Sequence, residues 1–277
     1  MRAVIAHGHI FKNAGTTFDW SLQRSFADNF LDHRDDKQMR ERGTRHVAEL
    51  LEQNPQLQAI SSHHLCHRMP QLPDGKIFPV YLLRHPIERI DSVYNFERRQ
   101  QADTAGAQAA KEKSFAGYVA WRMQSGVPRT IRNYQTIYLA GVHNYSEDAE
   151  PGLDIFGMAM TAVRDTPVIG LVERYDESMV LMEHHLREYF PTLDLAYVRQ
   201  NVSRRGFMER RHNSVQSVLK RLGSLQQTVI DNNSLDLAIY QLVHRRLDGM
   251  IQRMENFDEQ LREFRSRCEQ LAQGGEP

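Results

Sequence analysis

The chain has 277 residues, 40% of them hydrophobic and 25% charged, which is ordinary for a globular protein and long enough to bury a core without disulfides or structural metal. Lys plus Arg and Asp plus Glu each number 35, and this zero net charge argues against a general nucleic-acid coat, which requires a basic surface. A small anion is not excluded, because a few local cations suffice to hold one.

Cys66 and Cys268 are too few for a disulfide framework and suit a reducing compartment. No stretch approaches the roughly 18 apolar residues of a membrane helix. The N-terminus lacks the apolar core of a signal peptide. The expectation is a cytoplasmic protein without a membrane span, unless an N-terminal anchor is missing.

Residues 2–10 read as the first strand, followed by Phe11-Lys12-Asn13-Ala14-Gly15-Thr16-Thr17. Phe18, Leu22, Phe26 and Phe30 recur every fourth position, so a helix begins at Thr16 or Thr17, with either hydroxyl as its cap. Strand, glycine-containing loop and helix in this order form a βα unit with an anion-sized nest at the turn. The alternative is a tight turn whose glycine merely allows the bend.

A charged helical connection covers 32–54, a short strand 57–62, and a buried strand 77–83. Pro86 stands at the first position of the next helix, which carries Ile87, Ile90, Val93 and Tyr94 on one face. Residues 100–113 read as a loop or a solvated helix, and 114–164 as three amphipathic helices. A strand returns at 167–172, a helix follows from about 176 to 190, 198–213 is a basic loop, and the remainder is helical.

This alternation implies an α/β fold with a parallel sheet covered on both faces. The whole chain, 1–277, reads as one domain with a helical insertion at about 100–165 and C-terminal helices at about 214–272. Ligands in such sheets sit beyond the carboxyl ends of the strands. The loop at 11–17, the segment from Ser61 to His67, and Arg84 all fall there.

Lys12 opens the first loop and Gly15-Thr16-Thr17 closes it, the reverse of a Walker loop, which ends in Gly-Lys-Ser/Thr. In the second segment, Leu83 to Tyr94, the Arg84 guanidinium and the Ser92 hydroxyl can converge on a phosphate monoester. Alternatively Arg84 pairs with an acid and Ser92 only packs. Arg89 is expected in an ion pair with Glu88 or Glu97.

These two segments resemble the 5′-phosphosulfate and 3′-phosphate motifs of sulfotransferases that use 3′-phosphoadenosine 5′-phosphosulfate (PAPS). They are most similar to the carbohydrate type that includes the heparan-sulfate and uronyl 2-O-sulfotransferases. The first family motif, His-x-Pro-Lys-Thr/Asn-Ala/Gly-Gly/Ser-Thr-Ser/Thr, is met by His9 to Thr17 with Phe11 replacing proline. The second, Leu-Arg-Asp-Pro-x-Glu-Arg-x-x-Ser-x-Tyr, is met by Leu83 to Tyr94 with His85 replacing aspartate. Weaker similarity covers 133–141, 170–178 and Asn201-Val202-Ser203-Arg204, the last where relatives close a loop over the adenosine.

The resemblance implies a P-loop nucleotide-kinase-like sheet with a largely helical acceptor side. PAPS would be the donor and PAP the product, with no metal. The acceptor would be a hydroxyl, by analogy that of a glycan. Lys12 would neutralise the bridging oxygen, the backbone of Asn13, Ala14, Gly15, Thr16 and Thr17 would hold the 5′-phosphate, and Arg84 and Ser92 the 3′-phosphate. Asn201 and Ser203 would lie over the adenosine.

The base would be His63, with His64 as the alternative register and Glu97 next in line. The cluster of His63, His64, Cys66 and His67 also admits a metal, although its spacing matches no zinc pattern. From another reaction class, a P-loop-type kinase needs a Gly-Lys-Ser/Thr ending and an acid for Mg²⁺, and no such pair is found. A catalytically inactive nucleotide-binding scaffold is the third reading.

Overall fold

The computed structural model describes residues 1–65, 68–142, 149–198 and 214–274. Its centre is a five-stranded, all-parallel sheet in the order β2-β3-β1-β4-β5, with β1 Arg2–Gly8, β2 Phe30–Asp32, β3 Ala59–Ser62, β4 Gly75–Leu83 and β5 Ile169–Leu171. Ile5 lies opposite both Ala59 and Phe78. Because successive side chains alternate across a strand, β1 feeds two cores. Val4 and Ala6 pack with Met39, Val47 and Leu51 of α2 (Asp36–Gln53), and Ile5 with Phe18, Leu22 and Phe26 of α1 (Gly15–Phe26). The sheet is thus covered on both faces.

From β1 the chain crosses to the far edge at β2, returns to β3, and then reaches β4 on the other side of β1. The strand order therefore reverses at β1. The crevice beyond the ends of β3, β1 and β4 is where an open α/β sheet can admit a ligand.

A satellite core forms beside it. Ile87, Ile90, Val93 and Tyr94 of α3 (Pro86–Arg99) meet Ala109 and Ala110 of α4 (Ala105–Glu112), Phe115, Tyr118 and Val119 of α5 (Phe115–Arg122), and Val218 and Leu222 of α9 (Val215–Leu222). In the chain between α5 and α9 come α6 (Tyr134–Leu139), α7 (Leu153–Asp165) and α8 (Tyr175–Leu186), whose buried apolar side chains join the main core. The short α10 (Gln226–Asp231) leads into α11 (Ser234–Arg253) and α12 (Phe257–Gln273), whose Val243, Leu247, Leu261 and Phe264 join the main core. No described helix is long and apolar enough to cross a membrane.

Several local expectations are corrected. Phe30 does not continue α1, because the helix ends at Phe26 and Phe30 opens the edge strand β2. Neither threonine caps α1, whose N-cap is Ala14 without a side-chain hydrogen bond. The segment at 105–112 is not solvated: Ala107, Ala109 and Ala110 are buried, their small side chains letting α4 lie close on α3. Arg89 makes no ion pair with Glu88 or Glu97. It is fully buried, donates from Nε to Phe11 O (3.0 Å) and from Nη1 to Thr130 O (2.7 Å), and stacks over Tyr134. Glu97 is spent on Arg122 and Tyr118, which removes it as a base. Pro86 does begin α3, and His85 caps it by accepting the Ile87 N–H at Nδ1, the task an aspartate side chain can also perform.

Candidate functional site

After β1 the backbone alternates in sign: Lys12 (φ 67°) and Ala14 (φ 61°) are left-handed, and Asn13 between them is not. Such alternation turns successive N–H groups towards one point, and holding two non-glycine residues there costs about 1 kcal/mol or more each. The Asn13 N–H is already used by Ile10 O (3.2 Å), whereas those of Ala14, Gly15 and Thr16 take no partner among the described residues. They stand at the start of α1, where the helix dipole favours an anion and the first turn carries no acid. Gly15 does not make the bend, since its φ is not positive. A Cβ on Gly15 would instead collide with the His9 ring, so the glycine admits that histidine.

Asn13 is buried scaffold. Its Nδ2 donates to Leu82 O (2.8 Å) and Gln135 Oε1 (2.7 Å), tying the loop to the end of β4 and to α6. Gln135 also accepts the Arg84 N–H and donates to Arg84 O, both at 2.9 Å. Asp236 of α11 in turn caps α6 by accepting from Gln135 N, Thr136 N and Thr136 Oγ1. Burial raises the Asp236 pKa while these donors oppose the rise. Sequence pattern alone does not single out Gln135 or Asp236, because their partners are remote in the chain.

One cleft of about 990 Å³ gathers Lys12, Ala14, Gly15, Thr16, Thr17, His63, Arg84 and Ser92, together with His9, Phe11, Arg34, Phe96 and Arg99. Among the described residues its lining holds no carboxylate. Burial, reinforced by Arg84, Arg99 and Arg89, pushes the Lys12 ammonium down to about 8. Lys12 Nζ rests 4.6 Å from the centre of the Phe96 ring, which faces Phe11 edge-on. Behind Arg84, burial and the Glu173 carboxylate push Glu88 up to about 7, so near neutrality it offers Arg84 only part of a counter-charge.

His63 lines the cleft and His64 does not. Asp36 lies between them, 3.7 Å from His63 Nδ1 and 3.7 Å from His64 Nε2. Burial lowers the pKa of both imidazoles. His9 is a second histidine on the wall. Its Nδ1 is 2.7 Å from Asp19 Oδ2, while Asp19 Oδ1 is 2.7 Å from His7 Nδ1. Ligand atoms of His7, His9 and Asp19 lie within 4.8 Å of one another, a spacing that could suit a metal. These contacts are hydrogen-bond lengths, and Arg34 already neutralises Asp19 at 2.9 Å, so an added cation is disfavoured. Asn201 and Ser203, like Cys66 and His67, lie outside the described residues.

No family model matches the chain. It is 31% identical over 208 residues to an Archaeoglobus fulgidus protein described only as uncharacterized, covering 73% of this chain and 80% of the relative. This chain belongs to that archaeal protein's family. The relative's description names no activity, so the chemistry rests on the cleft.

Proposed function

We propose that this protein is an O-sulfotransferase that moves a sulfuryl group from PAPS to a hydroxyl of a glycan, acting in a cytoplasmic setting on a P-loop nucleotide-kinase-like sheet. One observation carries the reading most: three N–H groups without a partner among the described residues, and the cations Lys12, Arg84 and Arg99, face one cleft without a carboxylate among its described lining residues. That set suits a donor with phosphates at both ends better than a triphosphate presented with Mg²⁺, whose ion takes oxygen ligands such as carboxylates.

In this reading the amides of 14–16 hold the 5′-phosphate, and Arg84 with Ser92 holds the 3′-phosphate. The acceptor oxygen attacks sulfur in line, and the bond from sulfur to the bridging oxygen breaks. Its electron pair stays on the 5′-phosphate of PAP, where Lys12 offsets the new charge. The acceptor proton goes to an imidazole on the cleft wall. The resemblance selects His63 for this step, and His63 does line the cleft.

The test is transfer of ³⁵S from labelled PAPS to a panel of glycans, with PAP release measured in parallel. Label on an acceptor, lost in Lys12→Ala, supports the proposal. Phosphate transfer from ATP with Mg²⁺, and none of sulfur, would establish the kinase instead.

A further inference from the structure

We infer that His9, held by Asp19, is the proton acceptor of this cleft, a role the family resemblance gives to His63. The inference rests on the proposed donor chemistry and changes one residue within it.

The tautomer of His9 follows from its neighbours. Nδ1 lies 2.7 Å from the Asp19 carboxylate and 3.2 Å from Arg34 Nη2. Arg34 can only donate, and an Nδ1 lone pair facing a carboxylate at 2.7 Å would be repelled. The proton therefore sits on Nδ1 and is donated to Asp19, while Arg34 Nη2 donates to Asp19 and Asp32. That leaves the Nε2 lone pair without a partner among the described residues. Nε2 lies against Gly15, whose missing Cβ makes the room, and so beside the amides that hold the 5′ end of the donor.

Asp19 is itself fixed from both sides. It sits on α1, with the His7 imidazole on one oxygen and Arg34 on the other, and it is 7% exposed. A carboxylate so placed holds an imidazole in one orientation and stabilises the imidazolium that forms when Nε2 takes a proton. Among the described residues His63 has no comparable clamp: its contact to Asp36 is 3.7 Å, and its side chain is 39% exposed. The two rings meet edge to face at 4.8 Å, an arrangement for packing, and no hydrogen bond joins them.

In the step itself, the hydroxyl proton passes to Nε2 as the oxygen–sulfur bond forms, and the bridging bond breaks with its electrons on PAP. Among the described residues, the charged and titratable groups around His9 are His7 from β1, Asp19 from α1, Arg34 after β2 and His63 after β3. Burial is the largest influence on His9 and keeps it neutral, hence able to accept, near pH 7.

The experiment compares His9→Gln, His63→Ala and Asp19→Asn for sulfuryl transfer and for PAP binding. Long-range ¹H–¹⁵N spectra of the wild-type imidazoles accompany it. His9→Gln should lose about 10²–10⁴-fold in transfer with PAP binding retained, and His63→Ala less than about tenfold. Asp19→Asn should lose transfer and displace the acidic limb of the pH–rate profile, an effect that looser packing alone does not produce. The wild-type spectrum should show His9 neutral with its proton on Nδ1, which reads the assignment even if a variant fails to fold. The inference is overturned if His63→Ala costs more than His9→Gln while both bind PAP, or if His9 carries its proton on Nε2. If wild-type protein does not bind PAP, the donor reading fails first and the role of His9 falls with it.

Discussion

If the cleft takes PAP as proposed, the depressed pKa of Lys12 makes PAP affinity its reporter. In the free protein burial and three guanidinium groups bring Lys12 to about 8, against an ordinary value of 10.5. A bound dianion reverses that balance and raises it. Lys12 is therefore charged in the complex at pH values where the free protein has lost the proton, and binding must take one up. Affinity should be flat near pH 7 and fall above pH 8 by up to a decade per unit. At pH 9 roughly one free molecule in eleven retains the proton, so binding should be about tenfold weaker, or about 1.4 kcal/mol. The sign for folding is opposite. A lysine depressed in the folded state binds fewer protons than the unfolded chain between about 8 and 10.5, so this group makes the free protein more stable as pH rises through that window. Calorimetric titration of PAP from pH 7 to 9.5 measures the slope, and buffers of different ionisation enthalpy measure the proton uptake. Lys12→Gln should bind weakly with no slope. A pH-independent wild-type affinity, or the same slope in Lys12→Gln, would refute the reasoning.

Arg84→Ala should weaken PAP by about 1.5–3 kcal/mol, the range for a lost hydrogen bond to a charged group, while adenosine 5′-phosphosulfate, which lacks the 3′-phosphate, is nearly indifferent. Equal losses in the two titrations would make Arg84 structural. Gln135→Ala should also weaken PAP although Gln135 does not line the cleft, because it releases Arg84 N, Arg84 O and Asn13 Nδ2 together. It should lower thermal stability as well, since each buried group left unpaired costs about 1–3 kcal/mol, and unchanged binding would show that the tether is dispensable.

What the sequence disclosed was whatever depends on short-range pattern. The apolar run at 77–83 and the Pro86 start marked β4 and α3, and the strand, loop and helix at 2–26 marked β1, the turn after it and α1. Period alone misled at Phe30, because a four-residue spacing says nothing about the break at Ala27, where φ is 47°. The alanines of α4 looked solvated because small side chains give little apolar signal, yet their size is what lets the helices approach. Arg89, Gln135 and Asp19 escaped for another reason. The partners of Arg89 lie 78 and 41 residues away, those of Gln135 include one 101 residues away, and His9 meets Asp19 only because a strand and a helix fold back on each other. His63 and Arg84 were legible as strand-end residues, whereas the clamp on His9 required the fold.

The measurement that bears most directly on the donor assignment is thermal unfolding with PAP in the presence of EDTA, beside ATP with Mg²⁺. The amides of 14–16 and the cations of the cleft should neutralise both phosphates without help. PAP at about 100 times its dissociation constant should then add about 2.7 kcal/mol of stability, with or without chelator. No shift with PAP, together with a Mg²⁺-dependent shift with ATP, would contradict the assignment of this cleft to PAPS.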